Sequence, residues 1–523
     1  MSIWKGYMLY LRYSSFFILV FFISCSKDIK KDNAVFVIAT YDDVHDWDPA
    51  TAYSLEVLPM SNMYEPLLWL DASEKEHKLI PGLATSYKKS KDGLVWSFEL
   101  RRNVSFHDGQ PFNAQAVQYV VNRNKLLYQG ASYIWSHIKD VQVVGDYNVK
   151  FILDKPVPLD KIVSSQYGAW MYSPGTKHMS RDSIARGYVA GTGPYKLKSW
   201  ERNNQIELIK NNDYWGGWDK DDYFTAIQIR VVSESSTRLQ MVESGLVDYA
   251  VLIPNHLLDK LKNSTDIKVS FFPAWINHFY LLNTKKFPTN NVFFRKAIAA
   301  SFDRKKINQY VYGNLGREPK GLVPSNIPLF AAPDSLIAFD LKKARSYLLK
   351  SGLSNKETSV DFSYVATSEE YRLTALTLFD NLRQIGVETN LKPGLWSTNW
   401  EKAKNINTAP NIISMAWWPT YSSPSDWFFG LYETQTNPLF NLSYYSNTEV
   451  DSLIVLAWEN EATNPQKAQF YYKTIQEKLI DDCVVVPASD LNVQAVYGSD
   501  IYGLTPNPAY STLLVYKLER NSD

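Results

Sequence analysis

From Ala34 onward, short apolar stretches of period two alternate with longer ones whose apolar residues recur every three to four positions, which predicts strands and helices in α/β layers. Trp96, Phe98 and Leu100 alternate with Ser97 and Glu99, as on a half-buried strand. Asn113 is placed to cap a helix that gathers Val117, Val120 and Val121 on one face. Val141 and Val143 precede a Gly145-Asp146 turn, and Val149, Phe151 and Leu153 follow it, so the two runs form a hairpin. The C-terminal half is richer in helix, with starts predicted at Asp303, Asp340, Asn447 and Asn464 and stops at Gly352 and Gly386. Internal repeats and low-complexity tracts are absent.

A length of 523 residues corresponds to two to four domains at roughly 150 residues each. With 55 Lys and Arg against 54 Asp and Glu, the formal charge is +1. That balance excludes a polycationic nucleic-acid binder, which needs excess cations to neutralise phosphates. Hydrophobic residues at 45% exclude a disordered chain, and two cysteines are too few for a disulfide framework. Aromatic side chains are plentiful, with 16 Trp, 34 Tyr and 25 Phe.

The N-terminus changes the expected compartment. Lys5 and Arg12 precede an apolar run, Phe16 to Ile23, that is too short to span a bilayer and fits a signal peptide over residues 1–24. The following FISC resembles a bacterial lipobox with Phe22 in the usual leucine position, which implies lipidation of Cys25 and a polar tether over 25–33. The alternative is an ordinary secretory leader in which Cys25 has no role. Cys483, at the end of a helical pattern, is expected to be buried and inert.

Patterns that would support catalysis are missing: there is no GxSxG elbow, HExxH helix, phosphate-binding GxxxxGK[ST] loop or EF-hand loop. GTGPY at 191–195 has no lysine, and Pro194 lacks a backbone donor, so a tight turn is expected there. His107-Asp108-Gly109 reads as a turn with a solvated imidazole, and Asp42, Asp43, Asp46 and Asp48 read as a solvated loop. No histidine pair has metal-binding helical spacing. No metal, cofactor or catalytic residue is therefore expected.

Five ordered blocks carry a family resemblance: residues 82–123, with FHDG at 106–109; GTGPYKLKSW and NNDYWGG within 191–217; VESGLVDYA at 242–250; LLNTKKFPTNNVFFRKAIAASFDRKKI at 281–307; and YYSNTEVDSLI at 444–454. Together they resemble the family 5 bacterial extracellular solute-binding proteins, the dipeptide, oligopeptide and nickel receptors of ABC importers. The resemblance implies a monomeric, bilobal class II periplasmic-binding fold. Residues 34–64, 187–275 and 490–523 would form domain I, 65–186 an extra domain and 276–489 the second lobe, with hinge crossings near Asn283 and Pro487. The implied partners are a small solute, with an oligopeptide the leading expectation, the permease subunits and, through the lipid, a membrane. A secreted hydrolase and a signalling or adhesion receptor of the same fold are the competing classes.

Aromatic residues crowd MAWWPTYSSPSDWFFG at 415–430, where Pro and Ser favour an irregular loop after a strand. The resemblance implies that this loop carries ligand specificity, so Trp417, Trp418, Thr420 and Tyr421 are the expected site, with Trp396 and Trp400 as contributors. Phe428 and Phe429 are expected in a buried helix. Peptide receptors of the family place an Asp three residues after the strand-ending Trp, where it pairs with the peptide ammonium; here that position is Thr420. A hydroxyl cannot neutralise a buried cation. Two readings follow, loss of ammonium dependence, which is favoured, or substitution by Asp426.

Overall fold

The computed structural model describes residues 32–71, 77–218, 223–261, 263–505, 507–510 and 512–521. The leader and Cys25 lie outside the described residues.

One eleven-stranded sheet runs through the molecule. Its spatial order is Glu388–Gly394, Ser359–Val365, Ile412–Trp417, Ile267–Leu282, Val485–Gly498, Tyr249–Ala250, Val35–Thr40, Ala226–Val231, Gln205–Lys210 and Tyr195–Glu201, and Gly316–Arg317 pairs additionally with Val485–Gly498. Parallel pairs lie on both sides of the centre, Val35–Thr40 with Ala226–Val231 and Ser359–Val365 with Glu388–Gly394. The two long central strands are antiparallel and common to both halves. The last nine residues of Ile267–Leu282 are all buried, as the near-continuous apolar run from Ala274 requires of a strand covered on both faces.

The passage between the halves is visible in the register. Ile267 to Val269 pair with Val496 to Gly498 beside the first half, whereas Asn277 to Leu282 also pair with Ile412–Trp417 of the second. Between them the ladder slips at Pro273/Ile276. Pro273 has no N–H to give. The N–H of Trp275 leaves the ladder and donates to Pro508 O at 2.8 Å. The ladder slips a second time at His278/Phe279, opposite Pro487. Pro487 pairs opposite Phe279 inside the second half. Asn283 lies past the far end of its strand, buried and donating its N–H to Asn411 O at 2.9 Å.

A separate four-stranded antiparallel sheet, ordered Ala84–Lys89, Val95–Leu100, Asn148–Leu153 and Ile138–Val143, contains the expected hairpin, with Val141 opposite Phe151 and Val143 opposite Val149. Asn113 caps the helix Ala114–Leu127 by accepting the Ala116 N–H at 3.0 Å, and Val117, Val120 and Val121 are buried beneath it. Asp340, Asn447 and Asn464 likewise cap helices, and Gly352 and Gly386 follow helix ends at positive φ.

Two local expectations are corrected. His107 is not solvated: Nε2 lies 2.9 Å from Gly193 O, Nδ1 accepts the Gly191 N–H at 3.3 Å, and burial depresses its pKa to about 4. FHDG thus docks onto GTGPY, where a Cβ on Gly191 would meet Met63 O at 2.1 Å. The acidic loop is not simply solvated either. Asp43 is buried and accepts from Trp200 Nε1 at 3.0 Å and Asn203 N–H at 2.7 Å, while Asp48 pairs with Arg123 at 2.8 Å. These carboxylates tie separate segments together because desolvated charge requires partners. Cys483 is buried, and burial pushes its thiol up to about 12, which suits an inert residue.

Candidate ligand-binding cleft

A cavity of about 330 Å³ lies where the central strands cross. Ile276, Asn492 and Gln494 line it from those strands, Thr40, Tyr41, Tyr53 and Tyr249 from the first half of the sheet, and Tyr133 and Tyr167 from the smaller domain. The second half contributes Tyr312, Glu370, Tyr371, Trp396, Trp417, Trp418, Thr420 and Phe440. Rigid aromatic walls with few polar groups suit small-molecule recognition, since aromatic rings give contact area at little entropic cost.

The expected site residues separate into three groups. Trp417, Trp418, Thr420 and Trp396 line the cavity. Trp417 ends the strand Ile412–Trp417, is only 6% exposed, and packs edge-on against Phe440 at 5.0 Å. Gly430 leaves space for it, because a Cβ there would meet Trp417 Cζ2 at 2.8 Å. Trp418 is 36% exposed. Trp400 stands one layer back, stacked on Phe440 at 5.8 Å and 5.0 Å from Tyr53. Tyr421 departs from expectation: its ring stacks on Trp458 at 6.3 Å and its hydroxyl donates to Ser425 Oγ at 3.0 Å, away from the cavity lining. Trp427, Phe428 and Phe429 lie in the buried helix Pro424–Leu431.

Asp426 belongs to that same helix and is fully buried behind the cavity wall. Its Oδ2 accepts from Trp417 Nε1 and from the Thr420 N–H, both at 2.8 Å, and its Oδ1 accepts from Tyr133 Oη at 2.7 Å. Burial raises its pKa to about 7 although all three donors favour the ionised form. The protein's own donors thus occupy both oxygens, so Asp426 holds the loop in place and is not presented to a ligand ammonium.

Several bonds join the second half to the rest. Tyr133 Oη also lies 2.8 Å from Thr420 Oγ1, Lys161 Nζ lies 3.1 Å from Glu461, and the Asn255 N–H donates to Glu370 Oε1 at 3.0 Å. Sequence reasoning missed Glu370 and the tyrosines at 41, 53, 133 and 371. No shared spacing marks them, and only chain crossing brings them together.

The family model for bacterial extracellular solute-binding proteins, family 5 Middle, matches residues 78–438. The probable D,D-dipeptide-binding periplasmic protein DdpA of Escherichia coli (strain K12) is 27% identical over 433 residues, covering 82% of each chain. The glutathione-binding protein GsiB of the same strain is 24% identical over 492 residues, covering 92% of this chain and 93% of that one. Among solved structures, the periplasmic binding protein DppA from Helicobacter pylori in complex with peptide STSA matches with a TM-score of 0.83 at 22% identity, covering 93% of this chain and 98% of that one. The Escherichia coli murein tripeptide binding protein MppA matches with a TM-score of 0.84 at 20% identity over the same shares. With a bilobal α/β fold of the class II periplasmic-binding type and a family match over most of its length, the chain belongs to the family 5 bacterial extracellular solute-binding proteins, which are receptors and not enzymes.

Proposed function

We propose that this protein is the lipid-anchored receptor of an ABC importer, capturing a short peptide or similar small polar solute by closing its lobes and delivering it to the permease. The observation that carries the reading is an aromatic cavity walled by both halves of the sheet and the smaller domain, with hydrogen bonds joining its walls. A ligand touching both walls stabilises the closed arrangement, and closure is then the signal a permease can recognise. At about 330 Å³ the cavity is near the lower end of small-molecule sites, which favours a short peptide over a long one. The names of the relatives point the same way, to D,D-dipeptides, glutathione and a murein tripeptide. Domain I (34–64, 187–275 and 490–523), with the extra domain 65–186, would move against 276–489, and the register slip at Pro273/Ile276 supports bending between them. The receptor acts as a monomer.

The test is native mass spectrometry of protein from its own host, followed by small-angle scattering of the stripped protein with and without the ligand so identified. A peptide-sized adduct and a smaller radius of gyration with ligand are expected. Identical scattering at saturation would remove the closure mechanism. For the anchor, Cys25→Ser should move the protein from the membrane fraction to the soluble one, because an eight-residue apolar run cannot hold it there without acyl chains. Retention of a processed Ser variant in membranes would refute lipidation at Cys25.

A further inference from the structure

The cavity has an asymmetric charge. Among the described residues that line it, Glu370 is the one carboxylate, and there is no lysine, arginine or histidine. Four of the neutral donors on its walls are committed within the protein. Tyr133 Oη and Trp417 Nε1 donate to Asp426, Tyr312 Oη is held by His278 Nδ1, and Tyr249 Oη donates to Gln494 O. The helix Glu369–Gln384 does not supply an anion site either, since Ser368 caps it by accepting the Tyr371 N–H and Glu369 and Glu370 fill its first turn.

Glu370, by contrast, has acceptor capacity left. Its Oε1 accepts the Asn255 N–H at 3.0 Å, while Oε2 has only a 3.3 Å bond from Ser368 Oγ and keeps capacity for another donor.

We infer that the cavity takes a ligand with a positively charged amine and no free carboxylate, with Glu370 reading the positive charge. The inference rests on the peptide-receptor reading and narrows it to short peptide-like amines whose carboxyl end is amidated or otherwise neutral. A free carboxylate would enter this cavity desolvated, without a counter-cation and against the charge of Glu370. An amine meets the opposite field and an acceptor able to take its proton in a charge-assisted bond.

The test is calorimetry at pH 7 with four forms of one dipeptide: Leu-Phe amide, N-acetyl-Leu-Phe amide, free Leu-Phe and N-acetyl-Leu-Phe acid. The amide cation should bind tightest, about tenfold better than its N-acetylated neutral form and at least about tenfold better than the free dipeptide, with the N-acetyl acid weakest. In Glu370→Gln, which retains an acceptor for Asn255, the cation's advantage should shrink to about twofold while the neutral form binds as before. An equal loss for both would reduce Glu370 to a structural cap and overturn its role here. If the free dipeptide or the acid binds better than the amide, the charge inference fails and the peptide reading stands. If none of the four binds, the peptide reading itself fails and the inference goes with it.

Discussion

Replacing Asp426 with alanine should destabilise the protein by about 4 kcal/mol, because it strands Trp417 Nε1, the Thr420 N–H and Tyr133 Oη together in a buried site. Asparagine should be tolerated: one amide oxygen can accept from Trp417 and Thr420, and the amide NH₂ can donate to Tyr133 Oη, whose proton then turns to Thr420 Oγ1, 2.8 Å away. The pair of variants also isolates a pH effect. The folded pKa of Asp426 is raised to about 7 from an ordinary 3.8, so between pH 4 and 7 the folded state holds a proton that the unfolded chain has released. Stability therefore falls as pH rises through that window and levels off above it, by about 4 kcal/mol for this group. Glu65, Glu433 and Asp490 are raised by burial in the same direction, so the wild-type trend alone does not identify Asp426. Urea-unfolding midpoints at pH 4.5 and 7.5 should show a smaller pH difference for Asp426→Asn than for wild type. An equal difference would mean that Asp426 is ionised throughout. Because Tyr133 lines the cavity and bonds to Asp426 behind the wall formed by Trp417 and Thr420, Asp426→Ala should also weaken ligand binding by loosening the closed arrangement.

Trp417→Ala should abolish measurable ligand binding and cost about 3–5 kcal/mol of stability, whereas Trp418→Ala should weaken binding about tenfold with stability changed by about 0.5 kcal/mol or less. The contrast follows from burial. Trp417, at 6% exposure, packs on Phe440 and supplies one of the two donors to Asp426 Oδ2, so its loss opens a void and leaves that oxygen with the Thr420 N–H alone. Trp418, at 36% exposure, lines the cavity without that support role. Thermal unfolding beside calorimetry on each variant separates the two effects. Full binding by Trp418→Ala would mean that the ligand does not use this part of the wall.

Elements whose signals are local could be read directly from the residues. The Asn113 cap, the hairpin around Gly145, the helix stops at Gly352 and Gly386 and the buried helix containing Trp427 to Phe429 depend on contacts within a few positions or on a period that matches one face. The ordered motifs marked the family, and the aromatic loop marked one wall of the cavity. Long-range partners carried no such signal. Asp426 is committed by Tyr133, 293 residues away in the chain, and Glu370 faces the cavity beside Asn255, which arrives from the other half of the molecule. Tyr421 turned to Trp458 because helix Thr448–Glu461 packs there, and the acidic loop became buried because Arg123 and Trp200 fold onto it. The two slips in the central ladder, at Pro273/Ile276 and His278/Phe279, likewise carried no local signal. Periodicity and capping report the burial and backbone needs of single elements, while the choice among equally suitable polar partners is made only when the chain closes over hundreds of residues and desolvation forces each buried group to find one.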